Sequence, residues 1–395
     1  MKKAIIFLIL LSILISINSI SIFASGMDDV YDDTNFDQTS LDYGDINAKS
    51  AVLMDAETGT LLYAKNPNEA LHPASVTKIM TLLLVAEAIN DKKIGLNDKI
   101  NISTNAASMG GSQIFLKEGE EFSVEELLKS TIIASANDAA VALAEYVGGS
   151  EEQFVILMNE RAKDLGLKNT NFENTTGLDD DVTNHKTSAY DIAIMSRELI
   201  KHDIILKYST QWQDTVRDGE FTLTNTNRLV RYYQGCTGLK TGYTEKAGFC
   251  MSATAKKGDM HLISVIMGAE TRDERNNSAR SLLDWGFANY AIYKEAETKI
   301  ENIPILKGVE SSCELYSKEV KILVNKNDLK KIEKKYNIPD SLTAPIKSRE
   351  TVGKITYTID GKVIGQTDIY AEKEIEAITP LILFCRIMKT ALKGI

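Results

Sequence analysis

Cysteine and histidine are both scarce in this 395-residue chain, four of each, which removes several kinds of chemistry at the outset. Cys236, Cys250, Cys313 and Cys385 are too few and too scattered for a disulfide framework or a zinc site. Cys236 and Cys250 flank residues 243–247 almost symmetrically, so they are either a pair facing each other across a hairpin or ordinary buried thiols. A surplus of positive charge is missing too. With 45 Lys and Arg against 55 Asp and Glu, the net charge is -10, and binding a phosphate backbone needs a basic face. Nucleic acid is thereby excluded as a partner. Repeats and low-complexity tracts are absent, and 44% apolar with 25% charged residues is the composition of a folded chain. At this length two or three folded units are expected.

One long apolar run is present, at the N-terminus. Lys2 and Lys3 precede it, it extends over residues 4–23, and Ala24, Ser25 and Gly26 follow. That layout predicts an export signal over residues 1–25, cleaved near residues 24–26. Because the run approaches the ~20 residues of a membrane span, an uncleaved anchor is the competing reading. Asp28, Asp29, Asp32, Asp33, Asp37, Asp42 and Asp45 make residues 26–47 an acidic, solvated segment.

Two apolar runs, 51–54 and 61–64, surround a turn-rich link at 55–59 and predict a hairpin. Pro73 introduces an apolar helix over 76–89. Helical periodicity continues through 124–147, with Ser123 as N-cap and Glu125 and Glu126 in the first turn. Helices are also predicted at 151–165, 188–201 and 276–291, and strands at 221–224, 236–241, 248–255 and 261–268. Strands at both ends around a helical middle predict one sheet with helices packed on it, a domain over 48–296. Residues 297–376 alternate in short segments (320–324, 351–359, 362–369) with a turn at Asp360-Gly361, which predicts a small all-β module. In 377–395, Leu381, Phe384, Cys385, Met388, Leu392 and Ile395 share one helical face, and Arg386, Lys389 and Lys393 another. Such a helix is too short and too charged to span a bilayer. It either packs on its own domain or lies at a membrane surface, where anionic lipid would attract its basic side.

Three short motifs carry the chemistry. Ser75-Val76-Thr77-Lys78 follows His72-Pro73-Ala74. If Ser75 opens the helix, a spacing of three brings the Lys78 amine onto the face of the hydroxyl. Serine is a poor nucleophile until a base takes its proton, and a lysine whose pKa is lowered by burial and a nearby cation can do so. The helix N-terminus adds partial positive charge for a developing oxyanion. In the second motif, Ser135-Ala136-Asn137, a hydroxyl and an amide on one turn can relay a proton and hold a substrate amide. The third, Lys240-Thr241-Gly242 on an edge strand, offers an amine and a hydroxyl to a carboxylate, with glycine leaving room for a ligand backbone. Each alone reads as an ordinary N-cap serine, helix start or strand end. Their order and spacing together are the signal.

With those motifs the chain resembles the low-molecular-weight penicillin-binding proteins, serine-type D-alanyl-D-alanine carboxypeptidases. The likeness extends through residues 73–78, 132–139, 238–248 and 262–268, and to the trailing β module and basic amphipathic end. It implies an α+β fold: a β-lactamase/transpeptidase-like domain, an antiparallel sheet with a helical subdomain, followed by a small all-β domain. It implies Ser75 as nucleophile, Lys78 as general base, Ser135 and Asn137 as proton relay and substrate holder, and Lys240, Thr241 and Gly242 as the carboxylate site. Arg275 falls where the family has an arginine near that carboxylate, the alternative being a solvated loop residue. The N–H groups of Ser75 and of Tyr243 or Thr244 would form the oxyanion hole. Neither cofactor nor metal is implied. The implied partners are the peptidoglycan pentapeptide stem ending in D-Ala-D-Ala, β-lactams as acylating inhibitors, and the membrane surface. The implied location is the outer face of the cytoplasmic membrane, held peripherally through the C-terminal helix.

One departure is Ala136, where many relatives have glycine. His72, His185, His202 and His261 form no triad with Ser75, and His185 reads as structural. The Glu-x-x-Leu-Asn loop that lets class A β-lactamases activate a deacylating water is missing from 172–178, so penicillin should acylate and stay. Carboxypeptidase and endopeptidase action remain open alternatives.

Overall fold

A computed structural model describes residues 46–179 and 182–393, with only the backbone of Thr390 and Lys393. The predicted export signal and nearly all of the acidic segment lie outside the described residues, as does Ile395 of the predicted terminal apolar face.

The scaffold of the site is a five-stranded antiparallel sheet. β1 (Ser50–Asp55) and β2 (Leu61–Lys65) form the predicted hairpin, and β3 (Cys236–Thr244), β4 (Gly248–Lys257) and β5 (Met260–Ala269) form a meander. The order across the sheet is β2-β1-β5-β4-β3. β1 and β5 are apolar on both faces because both faces are covered. α6 (Arg272–Asn289) packs on one face, pressing Ala279, Leu282 and Leu283 against Met251, Leu262 and Ile266. α5 (Ala189–Leu199), N-capped by Ser188, packs on β5 and β1. β3 has one hydrogen-bonded neighbour in the sheet, so its other edge is open to the site.

α1 (Lys78–Asn90) is apolar nearly all round, as a helix at the centre of a helical lobe must be. Around it stand α2 (Val124–Ile133), α3 (Asn137–Gly148) and α4 (Glu151–Asp164). The Ser123 cap is present, as a full capping box with Glu126. The helical stretch 124–147 is two helices, divided at the second motif, which alone reads as a helix start. The Ala134 and Ala136 N–H groups both close on the Ser130 carbonyl, and Ser135 takes a left-handed conformation at φ 63°. Periodicity runs on through the break because both halves keep their apolar faces in one core.

Cys236 and Cys250 do not face each other. Cys236 lies opposite Ala255, and Cys250 lies opposite Gly242. Both thiols are free, because the β3–β4 turn is centred so that neither residue falls across from the other. The predicted 276–291 helix begins earlier, at Arg272, with a Thr271–Glu274 capping box, which puts Arg275 in its first turn and not in a loop.

β6 (Tyr290–Glu295) pairs with β9 (Val320–Asn325). The six-stranded sheet of the β module contains β7 (Thr298–Leu306), β8 (Ser312–Ser317), β10 (Glu333–Asn337), β11 (Leu342–Thr343), β12 (Thr351–Ile359) and β13 (Lys362–Ala371). Its order is β10-β12-β13-β8-β7-β11, and Leu315, Ile355, Tyr357 and Ile369 fill its core. Asp360 and Gly361, both at positive φ, turn β12 into β13. After the module, α7 (Pro380–Lys393) exposes Leu381, Leu383, Phe384, Ile387, Met388 and Leu392. Among the described residues no helix is long and apolar enough to cross a membrane.

The lobe is packed to contact. A Cβ on Gly148 would sit 2.9 Å from the backbone N and Cβ of Phe154. Alanine would gain about 1 kcal/mol of helix propensity, but overpacking against backbone that cannot rotate away costs about 1–3 kcal/mol. Gly148→Ala should therefore be less stable in urea unfolding. A variant of equal or higher stability would show that the two helices can separate freely.

Candidate active site

Pro73 and the short 3₁₀ turn Ala74–Thr77 deliver Ser75 to the start of α1, which begins at Lys78 and not at the serine. This turn sets the geometry, because side chains three apart eclipse in 3₁₀ winding. Lys78 Nζ lies 2.9 Å from Ser75 Oγ. It also lies 2.6 Å from Asn137 Oδ1 and 2.8 Å from the Thr176 carbonyl oxygen. The Asn137 amide is oriented by its other end, which donates to the Gly110 carbonyl at 2.7 Å.

Three contacts suit either the ammonium, donating to all three oxygens, or a neutral amine that takes the serine proton. Asn137 Oδ1 and Thr176 O can only accept. A neutral Lys78 amine has two N–H groups, enough for these two acceptors, and its lone pair is then left facing the Ser75 hydroxyl. The neutral form is favoured. Lys78 is fully buried, and burial together with the Lys240 ammonium pushes its pKa well below the usual lysine value, against the opposing pull of Asp138. Asp138 itself is occupied with the Ile114, Leu116 and Ala139 N–H groups, and so braces the loop that passes Asn137.

Lys240 projects from β3. Its Nζ donates to Ser135 Oγ at 2.7 Å and to the Thr241 carbonyl at 2.9 Å. Burial, and then Arg275, bring its pKa down to about 7. The left-handed turn at Ser135 aims that hydroxyl at Lys240, while Asn137, two residues on, reaches Lys78. The break in the helix thus joins the two amines. Thr241 Oγ1 donates to Thr226 Oγ1 at 2.8 Å. Gly242 was expected to leave room for a ligand; it leaves room for the nucleophile turn itself, since a Cβ would sit 2.9 Å from Ser75 N and from Pro73 O. Arg275 lies one strand further back and is buried. Its guanidinium donates to Asn276 Oδ1 at 3.0 Å and to the Cys250 carbonyl at 3.5 Å, and burial and Arg272 bring its pKa to about 10.

Hydrogen bonds therefore join Ser75, Lys78 and Asn137 in one group and Ser135 and Lys240 in another, and the short stretch of backbone from Ser135 to Asn137 links the two; Thr241 and Gly242 lie beside them and Arg275 behind the strand pair. Sequence reasoning missed Thr176 and Thr226. Thr176 contributes a backbone carbonyl, which no side-chain motif reports; the only signal was the adjacent Gly177. What the arrangement offers is a hydroxyl next to a neutral amine, and a pocket of buried positive charge suited to an anion.

The electrostatics have a consequence for stability. A buried lysine with a lowered pKa binds fewer protons than the unfolded chain, so its penalty is full below about pH 7 and fades as pH rises toward the ordinary lysine range. The stability of Lys240→Met relative to the native protein should therefore be most favourable near pH 6–7 and decline toward pH 10, read from denaturant midpoints. A difference independent of pH would mean that Lys240 keeps its ordinary titration in the fold.

Residues 35–271 match the D-alanyl-D-alanine carboxypeptidase family, and residues 287–377 match the C-terminal domain of penicillin-binding protein 5. The chain is 46% identical over 337 residues to D-alanyl-D-alanine carboxypeptidase DacF of Bacillus subtilis, covering 83% of this chain and 86% of the relative. Among solved structures it is similar to penicillin binding protein 5 from Haemophilus influenzae, with a TM-score of 0.73 and 33% identity over 84% of this chain and 98% of that one. Penicillin-Binding Protein D2 from Listeria monocytogenes, in its ampicillin-bound form, matches at TM-score 0.57 and 31% identity over 61% of this chain and 98% of its own. A helix start carrying Ser75 and Lys78, an edge strand carrying Lys240, and matches that span most of the chain lead to one assignment: this protein belongs to the D-alanyl-D-alanine carboxypeptidase family.

Proposed function

We propose that the protein removes the terminal D-alanine from peptidoglycan pentapeptide stems through an ester on Ser75. The observation that carries the reading is the buried Lys78 amine, 2.9 Å from Ser75 Oγ, whose charged form burial and Lys240 disfavour. Lys78 takes that proton as Ser75 Oγ attacks the carbonyl of the penultimate residue. The Ser75 N–H, and the N–H of Tyr243 just beyond the glycine that abuts it, hold the oxyanion. The proton returns through Lys78 and Ser135 to the leaving amine, free D-alanine departs, and water then hydrolyses the ester. Asn137 holds the peptide. Lys240 and Thr241 bind the terminal carboxylate and Arg275 adds charge behind them, a use that suits two buried cations whose neighbours here are hydroxyl, amide and carbonyl oxygens.

Deacylation of a penicillin adduct should be slow. In the loop near Ser75, Glu173 spends its carboxylate on the Thr183 and Asn184 N–H groups, and Lys78 meets the Thr176 carbonyl instead of a general base for water. α7 is proposed to rest on the outer face of the cytoplasmic membrane, its exposed apolar side in the interface and Lys389 toward anionic headgroups, while Arg386 donates to the Val309 carbonyl of the β module.

Incubation with labelled penicillin should leave a stable adduct on Ser75, and an acyl-D-Ala-D-Ala peptide should lose one D-alanine; Ser75→Ala should abolish both. Release of D-alanine by that variant at the native rate overturns the mechanism. Deleting residues 379–395 should shift the protein from the membrane to the soluble fraction, and continued pelleting would assign the attachment to the N-terminal segment.

A further inference from the structure

His185 has no part in the chemistry above, yet it is buried and hydrogen-bonded at both ring nitrogens. Nδ1 accepts the Glu173 N–H at 3.0 Å, so the proton of the neutral ring is assigned to Nε2. Nε2 then donates to Thr77 Oγ1 at 2.8 Å, and the Thr77 hydroxyl donates onward to the Ala74 carbonyl at 2.8 Å. Burial brings the His185 pKa down to about 4, so the neutral ring is the form present at neutral pH. Phe172 holds the ring edge-on at 5.8 Å.

The relay ends on an unusual residue. Ala74, immediately before the nucleophile, is left-handed at φ 49°, a conformation that costs a residue with a Cβ free energy and persists only when its surroundings impose it. Its carbonyl is also closed in by Gly177, where a Cβ would sit 1.8 Å from the oxygen. The Ala74 carbonyl and the Ser75 N–H are two ends of one planar peptide. A hydrogen bond accepted at the oxygen fixes that plane and polarises the N–H at its far end.

We propose that His185, acting through Thr77, is a positioning residue that orients the Ala74–Ser75 peptide so that its N–H meets the oxyanion. The inference rests on Ser75 being the nucleophile. Thr77 therefore matters for its hydroxyl, although it sits between Ser75 and Lys78 as an unassigned motif position, and His185 sets the reactivity of a turn far away in sequence.

The test uses four variants of the full chain. Thr77→Val and His185→Leu cut the relay while keeping approximate shape. Thr77→Ser keeps the hydroxyl, and the His185→Gln carboxamide can accept from Glu173 and donate to Thr77. Titration with labelled penicillin counts competent sites, and the second-order acylation rate is then expressed per competent site. Cutting variants should acylate about tenfold more slowly or worse, and conservative ones within about threefold of native, since a misaimed oxyanion donor weakens the transition state more than the ground state. Native rates per site in Thr77→Val, equal losses in Thr77→Ser, or a reduced count of sites at unchanged rate would each overturn the proposal. Labelling that persists in Ser75→Ala would instead overturn the assignment of the nucleophile.

Discussion

The site depends on taking a lysine amine out of water and setting it against one hydroxyl and two obligate acceptors. Lys78 meets a hydroxyl, an amide oxygen and a peptide carbonyl in a buried position, with a second amine nearby. Retaining the proton there means carrying an ion without a countercharge in contact. Losing it leaves two donors for two obligate acceptors and a lone pair for Ser75. A neutral amine able to take the serine proton is thus made by burial and a neighbouring lysine, without histidine.

Building that environment requires pieces from distant parts of the chain. The 3₁₀ turn at 74–77 supplies the hydroxyl, the break between α2 and α3 supplies Ser135 and Asn137, loop 174–177 supplies a carbonyl, and the open edge of β3 supplies Lys240. Two of these places hold non-glycine residues in the left-handed region, Ala74 and Ser135. Strain of this kind costs about 1–3 kcal/mol per residue and persists where neighbours impose it. Thr77 and Gly177 enclose the first, and Ser130 and Lys240 tie down the second. Stability spent on these turns and on two buried amines is offset by the apolar cores of the lobe and sheet, which take no part in the chemistry.

Much of the fold was legible because its elements are locally coded. The β1–β2 hairpin, the β3–β4–β5 meander and α4 through α6 follow from periodicity and turn residues, with ends displaced by a few residues. The interruption at Ser135 was legible only as helix-start residues in the second motif: both halves of 124–147 present apolar residues at helical spacing, and what divides them is the Asn137 N–H leaving the helix for the Ser112 carbonyl. Of the two readings of Cys236 and Cys250, the structure has the one without a pair. Symmetry about a turn in sequence is not register, and register depends on which residues form the turn.

By itself, the sequence determined which side chains are available and in what order: a hydroxyl and an amine three apart, a hydroxyl and an amide two apart, and an amine followed by a hydroxyl and a glycine. These are local properties, set by covalent spacing. Only the tertiary structure decided what each group experiences. The protonation bias of Lys78, the carbonyl of Thr176, the use of Gly242 as a seat for the nucleophile turn and the reach of His185 to Ala74 all arise from segments tens to over a hundred residues apart brought into contact. Desolvation and hydrogen-bond direction are properties of that assembled environment, and no spacing along the chain encodes them.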